Sequence, residues 1–103
     1  MSTTTDQLRQ NCHAIARQLG NDAENAASDF LDNALSIEYT VDVDLNFLGA
    51  EILVAFGGPT IWVNTRSDMI EGSWGFETVK VRFNDENDLH GMCEEMFDVS
   101  LRR

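Results

Sequence analysis

Positive charge is scarce in this sequence. Seven Lys and Arg face eighteen Asp and Glu, for a net charge of −11 over 103 residues. No base occurs between Arg17 and Arg66, an interval that holds Asp22, Glu24, Asp29, Asp32, Glu38, Asp42, Asp44 and Glu51. None occurs between Arg82 and Arg102, where Asp85, Glu86, Asp88, Glu94, Glu95 and Asp98 stand. Such a chain repels DNA, RNA and anionic lipid and is drawn to basic surfaces. Direct nucleic-acid binding and membrane binding are therefore not expected. Solubility alone asks a small domain for a net charge of magnitude about 2–8, and −11 exceeds that need.

Other scarcities narrow the class further. There is one proline, Pro59, and neither a repeat nor a low-complexity stretch. The longest apolar run, Ile52–Phe56, falls far short of the roughly 20 residues of a membrane-spanning helix. Met1–Asp6 carries no basic region followed by an apolar one, so no secretory signal is read and the expected location is the cytoplasm. There are only two cysteines, Cys12 and Cys93. In a reducing compartment they are expected as buried thiols, with no disulfide.

Catalytic and metal-binding signatures are also missing. Gly57-Gly58 leads into Pro59, not into a lysine and hydroxyl residue that open a helix, so no phosphate loop is present. G-x-S-x-G and HExxH are absent. His90 and Cys93 share a helix face, but zinc takes about four converging ligands. They are expected as a surface histidine beside a core cysteine. Asp42-x-Asp44-x-Asn46 matches the first half of a calcium loop, yet Glu51 is misplaced for the closing ligand. No enzyme activity, cofactor or metal is expected.

What is present is enough apolar residue, 43%, for one modest core over residues 1–103. Leu8, Cys12, Ile15 and Leu19 recur at helical spacing and predict a helix over 6–19, capped by Thr5-Asp6 and stopped at Gly20. A second helix is predicted over 22–35, started by Asn21 or Asp22, with Ala23, Ala26, Ala27, Phe30, Ala34 and Leu35 inward. The period then changes. Ile37, Tyr39, Val41, Val43 and Leu45 alternate with Glu38, Thr40, Asp42, Asp44 and Asn46, the pattern of a half-buried strand. Leu48-Gly49 reads as a turn. Further strands are predicted over 51–56, 60–64, 69–74 and 77–83. A last helix follows over 85–98, capped by Asn84 or Asp85, with Leu89, Met92, Cys93, Met96 and Val99 buried. Short connections make consecutive strands antiparallel neighbours. The fold class is α+β: two helices, a four- to five-stranded meander and one helix, with all helices on one face of the sheet.

Two surface features follow from this reading. Glu38, Thr40, Asp42 and Asp44 share one strand face, at intervals of ~6.6–6.8 Å. A row of carboxylates at that spacing imitates successive phosphates, and arginine forks bind both anions alike. The second feature is Trp62. With Arg66-Ser67 at the centre of a turn, Asn64 faces Met69, Val63 faces Ile70 and Trp62 faces Glu71. Trp62, Met69 and Glu71 then occupy the face opposite the core, and Gly72 leaves room on the core side; a register one residue off would flip every side chain and put Trp62 in the core. Tryptophan and methionine amid carboxylates suit a protein-binding hot spot.

The run Phe56-Gly57-Gly58-Pro59-Thr60-Ile61-Trp62-Val63-Asn64-Thr65, with Glu71-Gly72-Ser73-Trp74-Gly75, resembles small proteins encoded by phages and other mobile elements. In size, acidity and lack of an active site the chain is similar to anti-CRISPR proteins, several of which mimic DNA. The resemblance implies no catalytic residue. It implies an inhibitor that occupies the basic, nucleic-acid-binding surface of an effector or nuclease in the host cytoplasm. The alternatives are an immunity protein or antitoxin that neutralises one toxin, and a homo-oligomeric adaptor module. The expected partner-binding residues are Glu38, Asp42, Asp44, Trp62, Met69 and Glu71.

Overall fold

The structure, a computed structural model, describes residues 3–20 and 26–101. Helices α1 (Thr3–Leu19) and α2 (Ala26–Asp32) come first. Strands β1 (Ser36–Val41), β2 (Phe47–Ala55), β3 (Thr60–Asn64), β4 (Met69–Trp74) and β5 (Glu77–Arg82) follow, and α3 (Leu89–Leu101) ends the chain. The strands form one antiparallel sheet in the order β1-β2-β3-β4-β5, as the short connections predict. Helix α1 packs on β4 and β5, and α3 packs on β2. The core lies between them: Leu8, Cys12 and Leu19 of α1 meet Ile61, Val63, Ile70, Val79 and Val81 of the sheet, with Leu89 and Cys93 of α3.

Residue chemistry explains the element ends. Gly20 donates its amide to the Ala16 carbonyl and closes α1. The proposed start of the second helix, at Asn21, Asp22 and Ala23, lies outside the described residues. Its end is earlier than the pattern predicts. Asn33 Nδ2 donates to the Asp29 carbonyl, and the amides of Asn33 and Ala34 make the tighter three-residue bonds of a terminating helix. Leu35 is therefore not a helix core residue. It is exposed, and its amide donates to the Leu53 carbonyl to begin the β1–β2 ladder.

Helix α3 begins at Leu89, four residues later than expected, because two aspartates share the cap. Asp85 accepts from the amides of Leu89 (2.6 Å) and His90 (2.9 Å), and Asp88 accepts from Gly91 (3.1 Å). The first three orphan amides are thus satisfied by carboxylates that also suit the helix dipole. Leu89, Cys93 and Phe97 form the buried stripe. Met96 and Val99, expected inside, are exposed. The spacing of four carries the stripe to Phe97, which packs edge-on against Tyr39 at a centroid distance of 5.4 Å.

The largest correction concerns strand one. Its alternation continues in the sequence through Asn46, but the strand ends at Val41. Residues 42–46 form the hairpin turn, and β2 already starts at Phe47, so Leu48-Gly49 is strand rather than turn. The cause is Asp42. Its Oδ1 accepts from the amides of Asp44 and Asn46, both at 2.9 Å, and its Oδ2 accepts from Asn46 Nδ2 at 3.1 Å. An aspartate that binds backbone two residues on sets a turn. Leu45 takes φ 64°, the left-handed region, to complete it. Val43 is 97% exposed and Leu45 57% exposed, where a continued strand would have buried both.

Candidate functional site

All the packing helices contact one face of the sheet, so the other face is open. Cross-strand pairing arranges that face in two rows. One runs Ser36, Leu53, Trp62, Glu71, Lys80 from β1 to β5. The other runs Glu38, Glu51, Asn64, Met69, Arg82. Neighbours within a row lie on strands about 4.8 Å apart. Trp62 pairs with Glu71 and Asn64 with Met69, in the register expected for the turn at 65–68. Of the six expected binding residues, Glu38, Trp62, Met69 and Glu71 therefore share this face.

Asp42 and Asp44 do not join them. Both lie in the hairpin beyond the end of β1, so the expected row of carboxylates at phosphate spacing does not form. Asp42 is committed to its own turn. The amide and side-chain N–H groups of Asn46, together with the Asp44 amide, hold its carboxyl below the usual value of 3.8. Only Asp44 presents a free carboxylate at the hairpin.

The centre of the open face is hollowed, with Trp62 and Met69 ringed by polar side chains. A concavity of about 280 Å³ is lined by Glu51, Trp62, Asn64, Ser67, Met69, Glu71 and Lys80. Its polar wall is fixed by Asn64. The Asn64 Oδ1 accepts from the amides of Arg66 (2.9 Å) and Ser67 (3.1 Å), which sets the side-chain plane. Its Nδ2 then donates to Glu51 Oε1 at 3.3 Å. Glu51 and Asn64 belong to this site, and sequence reasoning missed them as partners. The signal for Glu51 is that it is the one charged residue of an otherwise apolar strand, but its neighbour depends on β2–β3 pairing.

Charge is segregated across the molecule. Arg9 and Arg17 lie on α1, and Lys80 and Arg82 lie on the edge strand β5 that α1 covers. The other described base, Arg66, sits in the β3–β4 turn. No Lys or Arg occurs in α2, β1, β2 or α3, which carry Asp29, Asp32, Glu38, Glu51, Glu94, Glu95 and Asp98, all exposed. Among the described residues, β1, β2, α2 and α3 are thus acidic without a base, while the bases gather on α1, β5 and the β3–β4 turn, where Asp6 and Glu77 also lie. Exposed aromatics were also missed. Phe56 and Phe76 stand at the β2–β3 and β4–β5 connections, which lie at the same end of the sheet, beside the positive-φ Gly57 and Gly75.

The remaining chemistry-bearing groups are internal. Thr65 is buried. Its Oγ1 accepts from the Ala50 amide at 2.9 Å and lies 3.0 Å from His90 Nδ1. His90 is therefore half-buried and ties α3 to the sheet rather than lying free at the surface as expected, and Phe47 packs edge-on against its ring at 5.1 Å. Cys12 and Cys93 are buried and free. Burial, with a smaller contribution from the Asp85 charge, pushes the Cys93 thiol up to about 11. Burial also raises Cys12, against the opposing pull of Arg9. Among the described residues no group of three or more His, Cys, Asp or Glu is placed to hold a metal. No helix among them is long and apolar enough to cross a membrane. No protein-family model, curated protein or solved structure matches this chain.

Proposed function

We propose that this protein is a binding inhibitor that lays its acidic side on the basic, nucleic-acid-binding surface of another protein, such as a nuclease or a nucleic-acid-guided effector. The observation that carries this reading is the segregation of charge: β1, β2, α2 and α3 hold acids without a single Lys or Arg. A one-signed surface steers a basic partner and repels the nucleic acid that partner would otherwise hold. The open sheet face adds an apolar centre at Trp62, Leu53 and Met69, the composition of an interface core bordered by charge. The protein competes by charge and occupancy. Imitation of phosphate spacing by strand one is not part of the reading, because Asp42 and Asp44 are in a turn.

The test has two stages. The tagged protein is used to capture its partner from cell extract, and the dissociation constant of the purified pair is then measured from low to high salt, with and without competing nucleic acid. Affinity should fall steeply with salt, because exposed charge pairs are screened, and nucleic acid should displace the protein. A partner that holds no nucleic acid, or binding indifferent to both salt and competitor, would refute the proposal. A captured cognate toxin with an apolar interface would instead make this an immunity protein.

A further inference from the structure

We infer that the hollow on the open sheet face is a receptor for one arginine side chain of the partner. This deepens the proposed function and rests on it. Three features of the hollow converge on a guanidinium. First, Trp62 and Met69 form an apolar floor, both half-buried within the sheet surface yet uncovered by any helix. Tryptophan is the strongest aromatic partner for a cation, and arginine stacks on it as a plane. Second, Glu51 and Glu71 stand on opposite sides of that floor, on β2 and β4, with β3 between them. Both are exposed, so each has carboxylate oxygens available to accept from a guanidinium. Third, Glu51 is already positioned. Asn64 is held by two backbone amides and binds one Glu51 oxygen, leaving the other for a ligand. That contact biases the Glu51 side chain toward the hollow and lowers part of the ordering cost of binding.

Size agrees with this assignment. At about 280 Å³ the hollow falls below the roughly 300–1,000 Å³ of pockets that enclose drug-sized molecules, so one side chain suits it. Arg82 neighbours Met69 across strands but does not line the hollow, so Lys80 is the competing cation. It pairs across strands with Glu71, which makes Glu71 the shared carboxylate and Glu51, on the far side of Trp62, the uncontested one. Arginine is favoured over lysine because its planar fork reaches a carboxylate while stacking on the indole.

The experiment uses the whole, isotopically labelled protein at low salt. It is titrated with the capped pentapeptide Gly-Ser-Arg-Ser-Gly and with its lysine counterpart, and the Trp62 indole N–H and backbone amides are followed by NMR. The arginine peptide should give saturable shifts centred on Trp62, Glu51, Asn64 and Glu71, with an affinity clearly above that of the lysine peptide. Trp62→Ala and Glu71→Gln should each weaken binding severalfold, Trp62→Phe should retain part of it, and Lys80→Gln should strengthen it. Glu94→Gln, an equal charge loss on α3, should leave it unchanged. Equal affinity for the two peptides, or shifts centred on residues 42–46 or on α3, would overturn the receptor. Those results would leave the acidic-inhibitor reading standing, since salt dependence and nucleic-acid competition test it separately.

Discussion

Replacing Gly72 with alanine tests which face of the sheet is covered, and so which face is free for a partner. Gly72 lies on the core side of β4, paired with Ile61 and Val79. A Cβ built there stands 2.8 Å from Cys12 Sγ and 2.8 Å from Leu8 Cδ1, and 3.3 Å from Leu8 Cγ. Comfortable carbon contacts lie near 3.5–4.0 Å, so two contacts are too close by about 1 Å. Leu8 and Cys12 are one helical turn apart on α1 and fully buried, so neither side chain can swing into solvent. The helix must lift or the strand must sink. Overpacking of this kind costs about 1–3 kcal/mol. Against it stands a gain of about 0.4–1 kcal/mol from the stiffer unfolded chain, since Gly72 does not need a positive φ. The clash wins, and Gly72→Ala should destabilise by about 1–2 kcal/mol, with Tm falling roughly 4–8 °C per kcal/mol. Adding Cys12→Ala removes one of the two colliding atoms. The double variant should be less than additive by about 0.5–3 kcal/mol. Glu71→Gln, next along β4 on the open face, should stay within about 0.5 kcal/mol of the parent. Urea titrations followed by circular dichroism measure all four. A neutral or stabilising Gly72→Ala, or strict additivity with Cys12→Ala, would mean that α1 is not seated on this strand.

Stability should decline in alkali. Cys93 titrates at about 11 in the folded protein against 9.0 unfolded, so above pH 9 the unfolded chain holds fewer protons and gains ground until the folded thiol also ionises. Cys12 and Tyr39 are raised in the same direction, and Cys93→Ala should remove part of the slope; chemical denaturation that is flat from pH 9 to 11 would contradict this. Asp42→Ala should loosen the β1–β2 hairpin and speed hydrogen exchange at the Asp44 and Asn46 amides. Because the Asp42 carboxyl is held below 3.8, its contribution is present above that value and lost as pH falls through the lower folded one, so the same amides should lose protection in acid.

The element order and sheet topology were legible because independent signals agree. Helical spacing of Leu8, Cys12 and Leu19 is reinforced by Gly20 at the stop. Strands β3, β4 and β5 have the predicted bounds to within one residue, since Gly57-Gly58-Pro59, Thr65–Asp68 and Gly75 punctuate them. Boundaries failed where a polar side chain competed for backbone. Asp85 and Asp88 together delay α3, and Asn33 shortens α2. Period alone places Asn33 and Asp88 inside the helices, while their hydrogen-bonding groups place them at the ends; Asp85, expected as a cap, is one, but of a helix that starts at Leu89.

The same contest explains which part of the site was visible. In Asp42-x-Asp44-x-Asn46 the alternation of a strand and the spacing of an aspartate turn are the same string of letters. The turn prevails because Asp42 satisfies three N–H groups of its own hairpin, and Val43 and Leu45 lose burial as a result. Trp62 was open in the sequence to a one-residue slip that would bury it, and the observed pairing with Glu71 resolves this. Ile61 and Val63 must face the core, and Val63 pairs with Ile70 across a turn that Asn64 caps with its side chain. A one-residue slip would expose the whole set, so the outward direction of Trp62, Met69 and Glu71 is fixed by what the core requires. Glu51 could not be placed by that reasoning, because it joins Asn64 only through pairing between residues 13 apart. The acids available at the surface are therefore those left outside by core packing and not consumed by caps or turns. On the open face these are Glu38, Glu51 and Glu71, and of these Glu51 and Glu71 line the hollow with Trp62 and Met69, which is why the proposed arginine seat rests on those two.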